Sequence, residues 1–177
     1  MRRKIGVVAI MLFWCGGVLA QGMTPQHQRM LGKGYGAIAK GWQQHKVEAI
    51  TALWTKDYTE TQIKGKPLDR AAATKSLQRF MTKWPYSILM RFAIEKVTPK
   101  EGGKTLEVLL TQAGDIALGP KPKDGKSQLS AKFVHTWVQT PQGLRLKKQS
   151  IVPPPKEKEQ KTHKAVKFIR EKLTAPK

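Results

Sequence analysis

Acid–base chemistry in this chain has to come from four histidines and twelve carboxylates, because the single cysteine, Cys15, lies in an apolar N-terminal run. The histidines are His27, His45, His135 and His163. None forms H-x-H, H-E-x-x-H or another short ligand pair, so the spacing supports no local metal site, and no cofactor is expected. No G-x-S-x-G is present, which leaves a serine nucleophile without a motif. Among the acids, Asp57, Asp69 and Asp124 stand where turns and helix caps use aspartate. Glu95 and Glu107 fall on extended segments, where they can pair across a hairpin or face water. His135 is the leading candidate catalytic group. Along 132–140, Phe133, His135, Trp137 and Gln139 share one side of a strand, and Val134, Thr136 and Val138 share the other. On such a face His135 could act as a general base or hydrogen-bond a carbonyl. It could equally be a core or surface histidine beside Trp137. A register error of one residue would carry both to the other face, where they would form a dimer or partner surface.

The elements that must position this strand are readable in order. Ser127–Val152 is two extended runs joined at Pro141-Gln142-Gly143, a long β-hairpin. Upstream, Thr24-Pro25 opens a first helix as N-cap and first helical residue. Leu31, Tyr35, Ile38 and Trp42 then form its apolar stripe. Gly32, Gly34, Gly36 and Gly41 weaken this helix or allow close packing. A break at 43–46 leads to a second helix over Val47–Trp54, and Asp57–Ile63 turns into a short strand. Asp69 caps a third helix from Arg70 to Thr82, stopped by Trp84-Pro85 because the residue before proline avoids helical angles. Beyond it the apolar period changes to two, through Ile88–Glu95 and Thr105–Leu118. Three helices ahead of a meander of four long strands predict an α+β fold.

The chain opens with Arg2, Arg3 and Lys4, an apolar run from Ile5 to about Leu19, and small residues at Val18 and Ala20. This predicts an export signal over 1–20, cut after Ala20, and a periplasmic or secreted protein; an uncleaved anchor is the alternative. Trp14 ahead of Cys15 argues against a lipoprotein site. The remaining 157 residues make one domain, 21–152, able to bury roughly 70% of its unfolded surface, and a tail, 153–177. Without cysteine that domain has no disulfide and no thiolate chemistry. The whole chain carries 33 basic and 12 acidic residues, a formal +21, or +18 once the three leading bases are removed. Attraction to anionic surfaces follows. The bases are scattered from Arg29 to Lys177 with no interleaved aromatics, so no specific nucleic acid is expected. Three prolines, Pro153–Pro155, end the domain. In the tail, Ala165, Val166, Phe168, Ile169 and Leu173 lie opposite Lys164, Lys167 and Arg170 on a helical wheel. Such a basic amphipathic segment can lie on an anionic envelope surface, pack on its own domain, or stay solvated.

Three segments together resemble the nuclear transport factor 2-like superfamily and, within it, the SnoaL-like proteins. They are GWQQHKVEAITALWTKDYTE, the G-K-P-L-D-R entry to the third helix, and the hairpin HTWVQTPQGLRLKKQ, and the resemblance covers roughly Tyr35 to Val152. It implies a cone, a strongly curved antiparallel sheet wrapped on three N-terminal helices around a pocket, often dimeric through the sheet. The superfamily includes isomerases, dehydratases and cyclases as well as scaffolds without chemistry, so the fold does not choose among them. Its enzymes use Asp or His in the pocket, sometimes with a Tyr donor; the resemblance offers His135, Asp57 and Tyr58 for these roles, and no complete set matches here. With aromatics sufficient to line an apolar cavity, the expected pocket residues are Tyr58, Trp84, Phe92, His135 and Trp137. The resulting expectation is a non-enzymatic exported module that binds an apolar small molecule or a partner protein through its pocket or sheet. The alternatives are acid–base catalysis on a hydrophobic carbonyl compound through His135, and cationic binding of anionic envelope polymers or lipid.

Overall fold

A computed structural model describes residues 22–154. The predicted export segment and the basic tail lie outside the described residues. The first helix, α1 (Pro25–Gln43), starts as its sequence dictates, with the Thr24 hydroxyl accepting from the His27 N–H at 3.2 Å and proline in the first turn. Its stripe of Leu31, Tyr35 and Ile38 is buried, with Trp42 half-buried beside it. Two of its glycines are required by what packs on them. A Cβ at Gly41 would lie 2.6 Å from Ile50, and one at Gly34 would lie 2.9 Å from the Trp137 ring. Gly32 and Gly36 face nothing within 4 Å.

The second helix, α2 (Val47–Thr51), is shorter than its periodicity suggests. Trp54 is not a helical stripe member but the first residue of β1 (Trp54–Thr61), which begins and ends ahead of the expected strand. The reason is tertiary: the Leu146 N–H donates to the Leu53 carbonyl at 2.8 Å, so the neighbouring strand captures the chain before another helical turn can close. Asp57 accordingly sits on an exposed strand position, 3.4 Å from Lys147, rather than in a turn. The two-residue β2 (Leu68–Asp69) leads into α3 (Arg70–Lys83). Asp69 caps it, Oδ1 accepting from the Ala72 N–H at 2.8 Å. Asp69→Ala removes that acceptor and should cost about 1 kcal/mol in urea unfolding, whereas Asp69→Asn should cost much less.

The remaining strands are β3 (Ile88–Lys100), β4 (Thr105–Ala117), β5 (Lys126–Thr140) and β6 (Gly143–Ile151). They form the antiparallel meander, and β6 also takes β1 as a parallel neighbour, giving one sheet ordered β2-β1-β6-β5-β4-β3. The β5–β6 turn is Pro141-Gln142, followed by Gly143 at φ 98, a left-handed conformation suited to glycine. Register shifts in β1, at Ile94/Lys96 in β3 and opposite Thr136/Trp137 in β6 bend the sheet. The result is an α+β cone: a curved, open, mixed sheet with three helices packed on it. α1 crosses its inner face over β3 and β6, and α3 covers β1 and β2. Leu106, Val108, Leu110, Trp137 and Leu146 supply the sheet's share of the core. Among the described residues no helix is long and apolar enough to cross a membrane.

Candidate functional site

The inner face of the sheet carries one polar row across strands distant in sequence. Glu60 on β1 pairs with Gln149 on β6, Gln149 with His135 on β5, His135 with Val108 on β4, and Val108 with Val97 on β3. An acid, an amide and an imidazole thus stand side by side, and two valines complete the row. His135 and Trp137 are on the inner face, where strand alternation puts them, and both are buried, at 1% and 0% exposure.

α1 closes over this row with Tyr35. Its hydroxyl accepts from Trp137 Nε1 at 3.0 Å and lies 3.2 Å from His135 Nδ1. The indole nitrogen can only donate, so the phenol oxygen accepts there and its own proton is free for Nδ1. This assignment makes Nδ1 the acceptor and puts the imidazole proton on Nε2. The Nε2 atom is buried and has no hydrogen-bond partner; Gln149 faces the ring without closing a bond of ordinary geometry. Burial pushes the pKa of His135 down to about 3, against a smaller upward pull from Gln149. Burial also raises the Tyr35 pKa, opposed by the Trp137 hydrogen bond. At neutral pH both groups are therefore uncharged. The rings pack closely, Tyr35 lying edge-on to Trp137 with centroids 5.2 Å apart and tilted on Phe92 at 4.9 Å.

Tyr58 is buried on β1 and stacks flat on Trp54, centroids 4.0 Å apart, with its hydroxyl unpartnered. Burial raises its pKa, with a further contribution from the Glu60 carboxylate. Glu60 itself is half-buried, and loss of hydration raises its pKa against weaker opposing contacts from Gln62 and Tyr58. Of the five residues expected to line a pocket, the structure brings Tyr58, His135 and Trp137 into the core and packs Phe92 against it. Trp84 stands apart, half-buried at the C-cap of α3. Sequence reasoning did not single out Tyr35 or Glu60. The signal for Tyr35 is a hydroxyl in an otherwise apolar stripe, flanked by Gly34 and Gly36; that for Glu60 is its sharing a strand face with Tyr58.

Chemically the row has little freedom. The imidazole Nδ1 is engaged, Nε2 is a buried donor, and the residue is 1% exposed. The other histidines lie elsewhere: His45 bonds through Nε2 to the Tyr86 carbonyl at 2.5 Å, His27 lies in the first turn of α1, and His163 is outside the described residues. Among the described residues no three His, Cys, Asp or Glu side chains gather as a metal site would require.

No protein-family description matches this chain, and no curated protein matches it in sequence. Solved structures do match its fold. Aln2 from a Streptomyces species superposes with a TM-score of 0.64 at 11% identity, covering 81% of this chain and 98% of that one. A dehydratase candidate of the nuclear transport factor 2-like family from Streptomyces avermitilis gives 0.57 at 17% identity, covering 75% and 99%. A domain of unknown function with a cystatin-like fold from Nostoc punctiforme gives 0.59 at 8% identity, covering 86% and 100%. At these identities the likeness speaks for the fold, and the fold is the α+β cone of nuclear transport factor 2-like and cystatin-like proteins.

Proposed function

We propose that the protein is a non-enzymatic exported module that presents a closed cone as a rigid scaffold to a partner protein. The observation that carries this reading is the plug at the centre of the cone. Tyr35, His135 and Trp137 fill it with their own rings and hydrogen bonds. An apolar ligand entering there would have to displace Tyr35 and leave His135 Nδ1 and Trp137 Nε1 buried without partners, at a cost of about 1–3 kcal/mol each. A histidine held neutral down to about pH 3 is also a weak base for proton abstraction near neutrality. The competing reading, acid–base catalysis on a hydrophobic carbonyl compound, draws on the Glu60–Gln149–His135 row and on the dehydratase candidate among the fold's neighbours.

Native mass spectrometry of the chain purified from its own envelope distinguishes the two. The expected result is the protein's mass without a stoichiometric small molecule, together with cross-linking in the envelope to another protein. A bound small molecule at one-to-one ratio would overturn the closed-cone reading. So would turnover of a hydrophobic ketone that disappears in His135→Gln while circular dichroism shows the fold retained.

A further inference from the structure

The outer side of α3 carries a feature that the closed cone does not use. Lys75, Arg79 and Lys83 recur every fourth residue and are exposed along one face of the helix. No acid occurs anywhere within α3, and none of the three forms an ion pair among the described residues. The other base of the helix, Arg70, is tied inward, donating to the Thr51 carbonyl at 3.0 Å. Two adjoining shallow depressions, largely open to solvent, share Lys75 and Arg79. Gln78, Thr82 and Lys83 complete the first, and the second continues past Ser76 towards Leu68. The one carboxylate among the residues lining the two depressions, Asp69, is at the far end of the second and accepts from the Ala72 N–H as helix cap.

We propose that this face of α3 docks an extended acidic segment of a partner protein. Residues four apart on a helix are about 6 Å apart along its axis. Alternate residues of an extended chain repeat at about 6.6–6.8 Å. Carboxylates at every second position of such a segment therefore meet Lys75, Arg79 and Lys83 in turn, and the intervening side chains point away from the helix into solvent. Nucleic acid fits the face less well, since none of its residues is aromatic and bases have nothing to stack on. A membrane fits less well too: among the described residues the exposed large apolar side chains are Ile63, Tyr86 and Leu118, none of them on α3, so the face has no anchor to insert. This assignment goes beyond the closed-cone reading and does not depend on it.

The test uses the full chain and a labelled peptide of alternating Glu and Ser, with alternating Gln and Ser as the neutral control. Binding to the acidic peptide should be saturable and should weaken steeply with added salt. Lys75→Gln, Arg79→Gln and Lys83→Gln together should weaken it about tenfold, three exposed pairs being lost. Neutralising Lys100, Lys104 and Lys121, exposed elsewhere, removes the same charge and should change it little. Glutamine keeps helix propensity, and circular dichroism reports whether α3 is retained. An equal loss in the two triple variants would reduce the effect to net charge and overturn the proposal. So would absence of binding, or a tighter, α3-dependent association with phosphatidylserine vesicles or single-stranded RNA.

Discussion

Trp137→Ala should destabilise the protein by about 3–5 kcal/mol, the range for truncating a large buried aromatic. Three losses combine at this position. The side chain is fully buried, so its removal opens a cavity beneath α1 that the sheet is too stiff to close. Its ring lies directly over Gly34, where the helix has no side chain to fill the space, and it is edge-on to Tyr35. Its Nε1 also supplies the hydrogen bond accepted by the Tyr35 hydroxyl. Trp137→Phe separates these contributions: it keeps most of the packing and removes the donor, and should cost about 1–2 kcal/mol. Urea unfolding of the two variants checks the expectation. Equal costs would mean that the hydrogen bond to Tyr35, rather than the packing, carries the site. A loss below about 1 kcal/mol in Trp137→Ala would mean that the ring is not the keystone between α1 and the sheet.

Much of that arrangement is visible in the chain before any coordinates, and the part that is not has a physical cause. The caps at Thr24 and Asp69 are local chemistry and appear where the residues say. Alternation along β5 places His135 and Trp137 on one face, and burial makes that face the inner one. Alternation fails where a strand bulges. In β3, Phe92 and Ile94 face the core, but the shift before Lys96 makes Val97, rather than Lys96, the next buried residue. The partners of His135 are set by contacts across long stretches of chain. Tyr35 arrives from a helix one hundred residues earlier, and its position in an apolar stripe gives no hint that its hydroxyl bridges two side chains of a strand. Glu60 and Gln149 become neighbours only because β1 joins β6 in parallel, a pairing that no hairpin rule generates. The same pairing takes Trp54 out of α2 and stacks it on Tyr58.

Lowering the pH from 7 to 4.5 should cost the protein about 2–3 kcal/mol through His135 alone. The imidazole titrates near 6.5 in the unfolded chain and near 3 in the folded one. Between these values the unfolded state binds a proton that the native state refuses, so stability falls as pH falls across the window. At pH 4.5 the unfolded histidine is fully protonated and the folded one is not, so the expected loss depends little on where below 4 the folded value lies. The structure gives the reason for the refusal. A proton on Nδ1 would face the Tyr35 hydroxyl proton, which Trp137 prevents from turning away, and the charge would have no acid beside it on β5. Other groups titrate nearby. Glu95, held below its usual range first by its hydrogen bond to Lys132, and Asp115, held so by Arg91, lose their stabilising contributions at more acid pH. Glu60, raised by burial, acts in the opposite sense and gains on acidification. Glu95 and Asp115 lie on the outer face and should titrate alike in wild type and His135→Gln. Glu60, in the same row, is the one neighbour whose shift the substitution could alter, and Glu60→Gln in both backgrounds removes it. Urea midpoints of the paired proteins across pH 4.5–7 should therefore diverge towards acid, the wild type losing more. Parallel curves would show that His135 takes up its proton in the folded state as readily as in the unfolded chain, and that Tyr35 does not seal it.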